Sequence, residues 1–424
     1  MPGDGTRAGT ISSRPPARCL DLTRLISRVG RGPATGVDRV EAAYLHHLLD
    51  GDVPLFVLVR TVLGFVLLDR AGATKIAARL SGDQAWGGRD LVGVLSRRIP
   101  KVKQQAEADL RRFAIARCRR GALAGILARY LPEGTVYLNV GHSNLGEEPL
   151  TAWRAVPNAR RVVLVHDIIP LDHPEYQRPG TPAAFEAKLR RVGAEADLVI
   201  YNSQATQGAA ERRFAAWGRV PDGLVAHLGV DLPQPDPSRI PADLHLPVPY
   251  FITLGTIEPR KNHGLLLDVW ETLADELPEA RMPHLIIAGR RGWENAEVFR
   301  RLDTSPVMDR FVHEREGLHD GTVAALIAGA RALLFPSRAE GFGLPPLEAA
   351  ALGTPVICSD LPIYREFLAN IPVYLDSDDV YSWTQSIKRM ADDKQAGQAS
   401  GAETCVPSRL PTWTDHFNLV LKVA

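Results

Sequence analysis

Short apolar runs of four or five residues alternate along most of this chain with stretches in which apolar residues recur every three or four positions. The runs read as buried strands and the recurring stretches as amphipathic helices. In the first half, strands are predicted over 20–25, 136–140, 162–165, 197–201 and 224–228. A helix is predicted from Gly36, with Val37, Val40, Tyr44 and Leu48 on its apolar face. Thr35 followed by Asp38 is a capping-box pattern at its start. Ser203 is placed to cap the helix after the 197–201 strand. The apolar stretch 53–68 is interrupted by Arg60 and Gly64, so it reads as two strands joined by a turn. A membrane-spanning helix would need about 20 apolar residues.

Six prolines, at 233, 235, 237, 241, 247 and 249, then mark a linker. Beyond it strands are predicted over 250–254, 284–288, 332–335 and 355–358. Between them Asn262 is expected to cap a helix through Leu265, Leu266, Val269 and Leu273, and Asp320 one through Val323, Leu326 and Ile327. Strands alternating with helices at this rhythm predict a doubly wound parallel sheet, here twice, in an α/β chain with a cleft between the two sheets. The expected organisation is a loose tail (1–19), a first domain (20–232), the linker (233–249), a second domain (250–392), a loose segment (393–409) and a final helix (410–424).

In parallel sheets, ligands bind beyond the carboxyl ends of the strands, so chemistry is sought there. After 332–335 comes Pro-Ser-Arg-Ala-Glu-Gly-Phe-Gly-Leu-Pro-Pro-Leu-Glu, with Glu340 in the loop and Glu348 about one turn into the next helix. Gly341 and Gly343 let backbone approach a ligand, and the free amides of a helix start suit a phosphate. After 250–254 comes Gly-Thr-Ile-Glu-Pro-Arg-Lys-Asn, whose adjacent Arg260 and Lys261 suit a diphosphate. His166 and Asp167 directly follow the 162–165 strand, and Gly141-His142-Ser143-Asn144 follows 136–140. Gly36 fits either close approach to a phosphate or a plain helix start. Asp50-Gly51-Asp52 and Asp376-Ser377-Asp378 read as turns rather than metal sites.

The chain has 424 residues, is 45% hydrophobic and carries a net charge of +1, which gives no reason to expect nucleic acid as a partner. Four scattered cysteines match no metal or redox spacing, and no signal peptide is legible, so a cytoplasmic location is expected. Arginines and lysines crowd residues 97–120; a solvated helix face is favoured slightly over contact with an anionic membrane surface.

Taken together, these motifs resemble glycosyltransferase family 4. Glu340 and Glu348, with seven residues between them, resemble its paired-glutamate signature, and 255–262 its phosphate-binding loop. Gly289-Arg290-Arg291-Gly292-Trp293, Thr35-Gly36-Val37-Asp38-Arg39-Val40, Val165-His166-Asp167 and Asn202-Ser203-Gln204-Ala205-Thr206 resemble further family loops, and Trp413 the aromatic that opens its last helix. The resemblance implies a GT-B fold and retaining transfer of a hexose from a nucleotide-sugar, without metal or other cofactor, to a glycan or lipid-linked acceptor in surface-polysaccharide synthesis. GDP-mannose is the first donor expected and a UDP-hexose the second; a silent nucleotide-sugar-binding protein is the other alternative. The family implies Arg260, Lys261, Glu340 and His166 as the catalytic set. It implies Gly36, Gly255, Gly289, Gly341, Phe342, Gly343, Leu344 and Glu348 as donor contacts, with Glu348 on the ribose. Asp167, His142 and Asn144 would lie on the acceptor side. Residues 311–320 depart from the family's wording where the base is expected. Alanine at Lys261 or Glu340 is expected to lower turnover and leave the fold intact.

Overall fold

Two sheets carry the molecule. The computed structural model describes residues 14–32, 34–95, 99–246, 249–392 and 410–424. The first sheet is built from β1 (Arg18–Asp21), β2 (Leu55–Thr61), β3 (Gly64–Asp69), β4 (Ala116–Cys118), β5 (Val136–Asn139), β6 (Arg160–Val165), β7 (Leu198–Tyr201) and β8 (Asp222–Val225), in the order β4-β3-β2-β1-β5-β6-β7-β8. The second contains β9 (Tyr250–Leu254), β10 (His284–Ala288), β11 (Val312–Arg315), β12 (Leu333–Phe335), β13 (Val356–Ser359) and β14 (Val373–Leu375), in the order β11-β10-β9-β12-β13-β14. All strand pairs of the second sheet are parallel. In β9, β10, β12 and β13 most apolar side chains are buried, as a sheet covered by helices on both sides requires, while Val373 on the edge strand β14 is exposed.

The first sheet departs from the wholly parallel expectation at one edge. β2 pairs with β3 and β3 with β4 antiparallel. Two residues, Val62 and Leu63, join β2 to β3, and a connection that short can only turn back on itself. Gly64 makes room for the arrangement: it sits at φ +138°, and a Cβ there would lie 2.1 Å from the Cys118 carbonyl.

The predicted strand over 20–25 is also corrected. β1 stops at Asp21, whose Oδ1 accepts the Thr23 N–H at 3.0 Å, and a helix runs Thr23–Arg28. That short-range bond turns the backbone where apolar periodicity alone would carry the strand on. β1 also begins inside the expected tail 1–19, of which residues 1–13 lie outside the described residues, as do 393–409. Helix caps follow the sequence at Ser203, which accepts the Thr206 N–H, and in the Thr35–Asp38 capping box. They differ at Asp320, where His319 takes the cap. Asn262 occupies its cap position, but its side-chain amide donates to Ser377 O.

Residues 97–130 form no single basic helix. A helix Lys101–Phe113, the strand β4 and a helix Leu123–Tyr130 share the segment, and Arg97 and Arg98 lie outside the described residues. Arg111 is bound to Asp90 at 2.6 Å and Arg112 to Asp109 at 2.5 Å, so these two cations are already neutralised by the protein.

The Trp413–Val423 helix follows the second sheet in sequence yet packs on the first. His416 Nε2 meets Tyr44 Oη at 2.7 Å, and its Nδ1 reaches the His227 carbonyl at 3.0 Å. Arg18 at the start of β1 donates to the Leu421 and Ala424 carbonyls. The helix thereby ties the end of the chain to the first strand.

Candidate functional site

The carboxyl ends of the two sheets face each other, and the loops beyond them meet. A Cβ on Gly341 would fall 2.7 Å from the His166 carbonyl and 2.9 Å from Asp167 Cβ, so only glycine lets these two loops approach so closely. Thr206 Oγ1 donates to Gly341 O at 3.5 Å, and Glu366 accepts the Gln204 N–H at 2.8 Å and pairs with His227. Gly343 sits at φ +85°, where it caps the helix Leu344–Ala351, and a Cβ would strike Tyr364 at 2.5 Å. Pro345 and Pro346 in the first turn need no N–H partner, and Leu344 keeps its amide at that helix start. On the neighbouring strand ends, Gly255 (φ +123°) and Gly289 lie back to back: a Cβ on Gly289 would be 1.8 Å from Gly255 O.

Between these loops sits a buried ionic network. Lys261 Nζ donates to Glu340 Oε1 at 2.5 Å, Arg260 Nη1 meets Glu340 Oε2 at 2.9 Å, and Arg260 Nε meets Glu258 Oε1 at 2.6 Å. Arg260 also donates to Ala339 O, while its own carbonyl accepts the Arg338 N–H at 2.7 Å, locking the 259–261 turn to the Glu340 loop. Lys261 Nζ lies 4.3 Å from the Phe335 ring centroid, a cation–π contact that steadies the ammonium. Burial alone would raise the Glu340 carboxyl, but Arg260 and Lys261 hold it down at about 2. Burial works against the Lys261 cation, which ends below its ordinary value despite Glu340. Arg260, against the same burial, is held more firmly protonated by Glu340 and Glu258. Two fixed cations thus converge on one carboxylate in a site largely shielded from water.

Across from them stand His166 and Asp167 at the end of β6. His166 is buried; its Nε2 bonds the Val140 carbonyl at 2.7 Å, and burial lowers its pKa to about 4, so the ring is neutral with Nε2–H donating. Asn202 holds the His166 carbonyl at 2.8 Å. Burial raises the Asp167 carboxyl, with Arg260 opposing. His142 Nε2 accepts the His166 N–H at 3.3 Å, and the two rings meet edge to face. Asn144 is not on this surface: its amide donates to the buried Asp21 at 2.7 Å, beside Tyr137. A carboxylate buried under the sheet needs those donors, and the Asn144 amide N–H is spent there.

Two donor-side residues also make contacts within the protein. Phe342 is buried with its ring 4.4 Å from Phe367, so only its backbone is left to face a ligand. Glu348 Oε1 accepts Arg39 Nη1 at 2.8 Å across the cleft, and Arg39 also pairs with Asp320 at 3.4 Å. Burial raises the Glu348 carboxyl, with Arg39 opposing. Any ligand hydroxyl that binds Glu348 must therefore share it with Arg39. Gly36 faces Leu344, but a Cβ there would make only an ordinary 3.6 Å contact, so the protein's own packing does not demand glycine. Gly36, Arg39, Leu344, Glu348, Asp231 and Trp413 line a small cavity between the two halves. Among the described residues no group of three or more His, Cys, Asp or Glu is arranged to hold a metal; Asp376 instead accepts the Asp378 N–H, and Asp378 pairs with Arg338.

Sequence reasoning missed Arg39, Glu258 and Arg24. Arg24 donates to Asp38 at 2.7 Å and to Thr35 Oγ1, bracing the turn before Gly36. Its signal was hidden by assigning it to a strand. Arg39 lay inside a recognised motif, but its partner is 309 residues away.

The buried neutral histidines set a pH dependence. His166 and His416 are both depressed to about 4 by burial, against about 6.5 in the unfolded chain. Between those values the unfolded state binds more protons, so stability is full above pH 6.5 and is lost as pH falls toward 4. Each contributes up to about 1.4 kcal/mol per pH unit in that window. Melting temperatures between pH 7.5 and 4.5 check this; a flat profile counts against it.

Residues 240–400 match the family of glycosyl transferases group 1. The serotype-specific mannosyltransferase WbdA of Escherichia coli is 33% identical over 217 residues, which is 48% of this chain and 26% of that protein. The O-antigen chain mannosyltransferase B of Escherichia coli is 28% identical over 263 residues, covering 60% of this chain and 67% of the other. This chain therefore spans about a quarter of the length of the first of these relatives. The crystal structure of Anabaena HepE in complex with UDP-glucose superposes with a TM-score of 0.63 at 16% identity, over 95% of this chain and 98% of that one, a likeness of fold. With two facing sheets and this superposition in hand, the chain is identified as a protein of the GT-B fold whose residues 240–400 match the family model of glycosyl transferases group 1.

Proposed function

We propose that the protein is a retaining hexosyltransferase that moves mannose from GDP-mannose to a lipid-linked or oligosaccharide acceptor in the assembly of a surface polysaccharide. The observation that carries this reading is the convergence of Arg260 and Lys261 on Glu340, beside the open helix start at Gly343 and Leu344. In the transfer, the bond from the sugar C1 to the diphosphate oxygen breaks and a bond from C1 to an acceptor hydroxyl oxygen forms on the same face. The acceptor proton passes to the departing diphosphate. Charge develops on that diphosphate, where the two cations and helix-start amides stabilise it. Those cations do the work that a divalent ion would otherwise do. Glu340 would turn to hydroxyls of the donor sugar, and Glu348 to the ribose. The mannosyltransferase relatives support the choice of sugar and pathway.

Among the described residues no helix is long and apolar enough to cross a membrane. In this reading the protein works at the inner membrane face, with exposed Lys101, Arg117, Arg119 and Arg120 toward anionic lipid. Co-sedimentation with anionic liposomes should then be lost when all four are neutralised; unchanged sedimentation removes the membrane contact.

A thermal-shift screen of nucleoside diphosphates and nucleotide-sugars tests the donor. GDP and GDP-mannose should raise the melting temperature, since a ligand at 100 times its Kd stabilises the folded state by about 2.7 kcal/mol. A shift with uridine nucleotides alone would replace the donor, and no shift with any nucleotide would remove the reading.

A further inference from the structure

Lys188 stands apart from the network around Glu340. It lies on the helix Thr181–Glu195, half-buried, with its ammonium 5.8 Å from the Phe185 ring centroid. Phe185 is in turn 6.1 Å from the His142 ring, which meets His166 at 5.0 Å. Among the described residues, Lys188 makes no hydrogen bond and no ion pair at contact distance. A half-buried ammonium with no carboxylate at contact distance has donors left for a ligand.

Its surroundings are cationic. Burial lowers the Lys188 pKa, Arg24 and Arg191 push the same way, and Asp167 alone opposes them. The nearby anions are largely committed elsewhere. Asp38 is shared by Arg24 and Arg28, and Asp167 answers first to Arg260. Glu41, beneath Gly141, is pushed toward its neutral form by burial. His142 and His166 are held neutral, chiefly by burial. Arg191 is tethered to the Leu145 carbonyl at 3.0 Å. The ring contacts through Phe185 and His142 therefore lead from this cationic surrounding to the His166 loop that meets Gly341.

We propose that Lys188 binds a phosphoryl group of the acceptor. The ammonium keeps its donors unspent, and a compact ammonium on a flexible stem suits a phosphate oxygen. Asp167 separates this anion from the donor-side cations, which keeps the two phosphates of the reaction in different sites. The inference rests on the transferase reading in placing the acceptor here, but the binding site itself can be tested alone.

The test is calorimetric titration of the full chain, pre-saturated with GDP or UDP, with glucose 6-phosphate in one arm and vesicles containing a polyprenyl phosphate in the other. Binding in the first arm identifies a sugar phosphate as the source, and binding only in the second a lipid phosphate. In whichever arm binds, Lys188→Met should weaken affinity about 10- to 100-fold, with Lys188→Arg close to wild type and nucleotide affinity unchanged. Lack of binding in both arms, or a Lys188→Met protein that binds like wild type, overturns the proposal. If neither nucleotide binds, the donor reading fails, and the comparison of wild type with Lys188→Met without nucleotide still decides this one.

Discussion

Replacing Lys261 with alanine is expected to lower the hexosyl-transfer rate about 10²- to 10³-fold, the range seen when one preorganised donor to a developing oxyanion is removed. The loss should fall on kcat, because the ammonium matters most when charge appears on the leaving diphosphate. The fold should survive. Glu340 would keep Arg260 at 2.9 Å, so its buried carboxylate would still face a cation, and Arg260 would keep Glu258 at 2.6 Å. Circular dichroism and a melting temperature close to wild type, alongside the rate, check both halves. A variant that turns over at the wild-type rate would remove Lys261 from the chemistry.

Glu340→Ala should behave differently, and here the structure revises what the sequence suggested. Lys261 is 9% exposed, and Glu340 is its only ion-pair partner among the described residues. Removing that carboxylate leaves an ammonium buried without a counter-charge. Breaking a buried pair from one side costs roughly 3–5 kcal/mol. For a domain of this size that corresponds to a fall of about 5–20 °C in melting temperature. The fold is therefore not expected to be indifferent to this change, and lost activity alone would be ambiguous. The double variant Lys261→Ala/Glu340→Ala separates the causes. It carries no orphaned ammonium, so most of the lost stability should return while the rate stays low, a strong non-additivity between touching residues. A Glu340→Ala protein that melts with wild type would show that water reaches Lys261 freely.

Much of the architecture could be read from the chain because it depends on local pattern. Strands β9 and β10 match the apolar runs 250–254 and 284–288 residue for residue, since four or five consecutive buried side chains in an α/β chain have few other places to go. The loops with the chemistry were also legible. A ligand site at the end of a parallel strand is fixed by topology, and the glycines and cations of 255–262 and 340–343 follow their strands directly. The strand over 20–25 was misread because one short-range bond at Asp21 overrode periodicity, and contacts made out of sight, Asn144 to Asp21 and the Phe342 ring to Phe367, could not be read from neighbours in sequence.

By itself, then, the sequence determined the elements, their alternation and the residues offered to the cleft, because spacing and side-chain type are properties of neighbours along the chain. Only the tertiary structure decided who meets whom. Glu340 lies 79 residues from Lys261, and Glu348 lies 309 from Arg39, so neither pairing is visible in any window of sequence. The paired glutamates part company for that reason. One is bound into a network on its own sheet, and the other is engaged by the opposite half of the molecule.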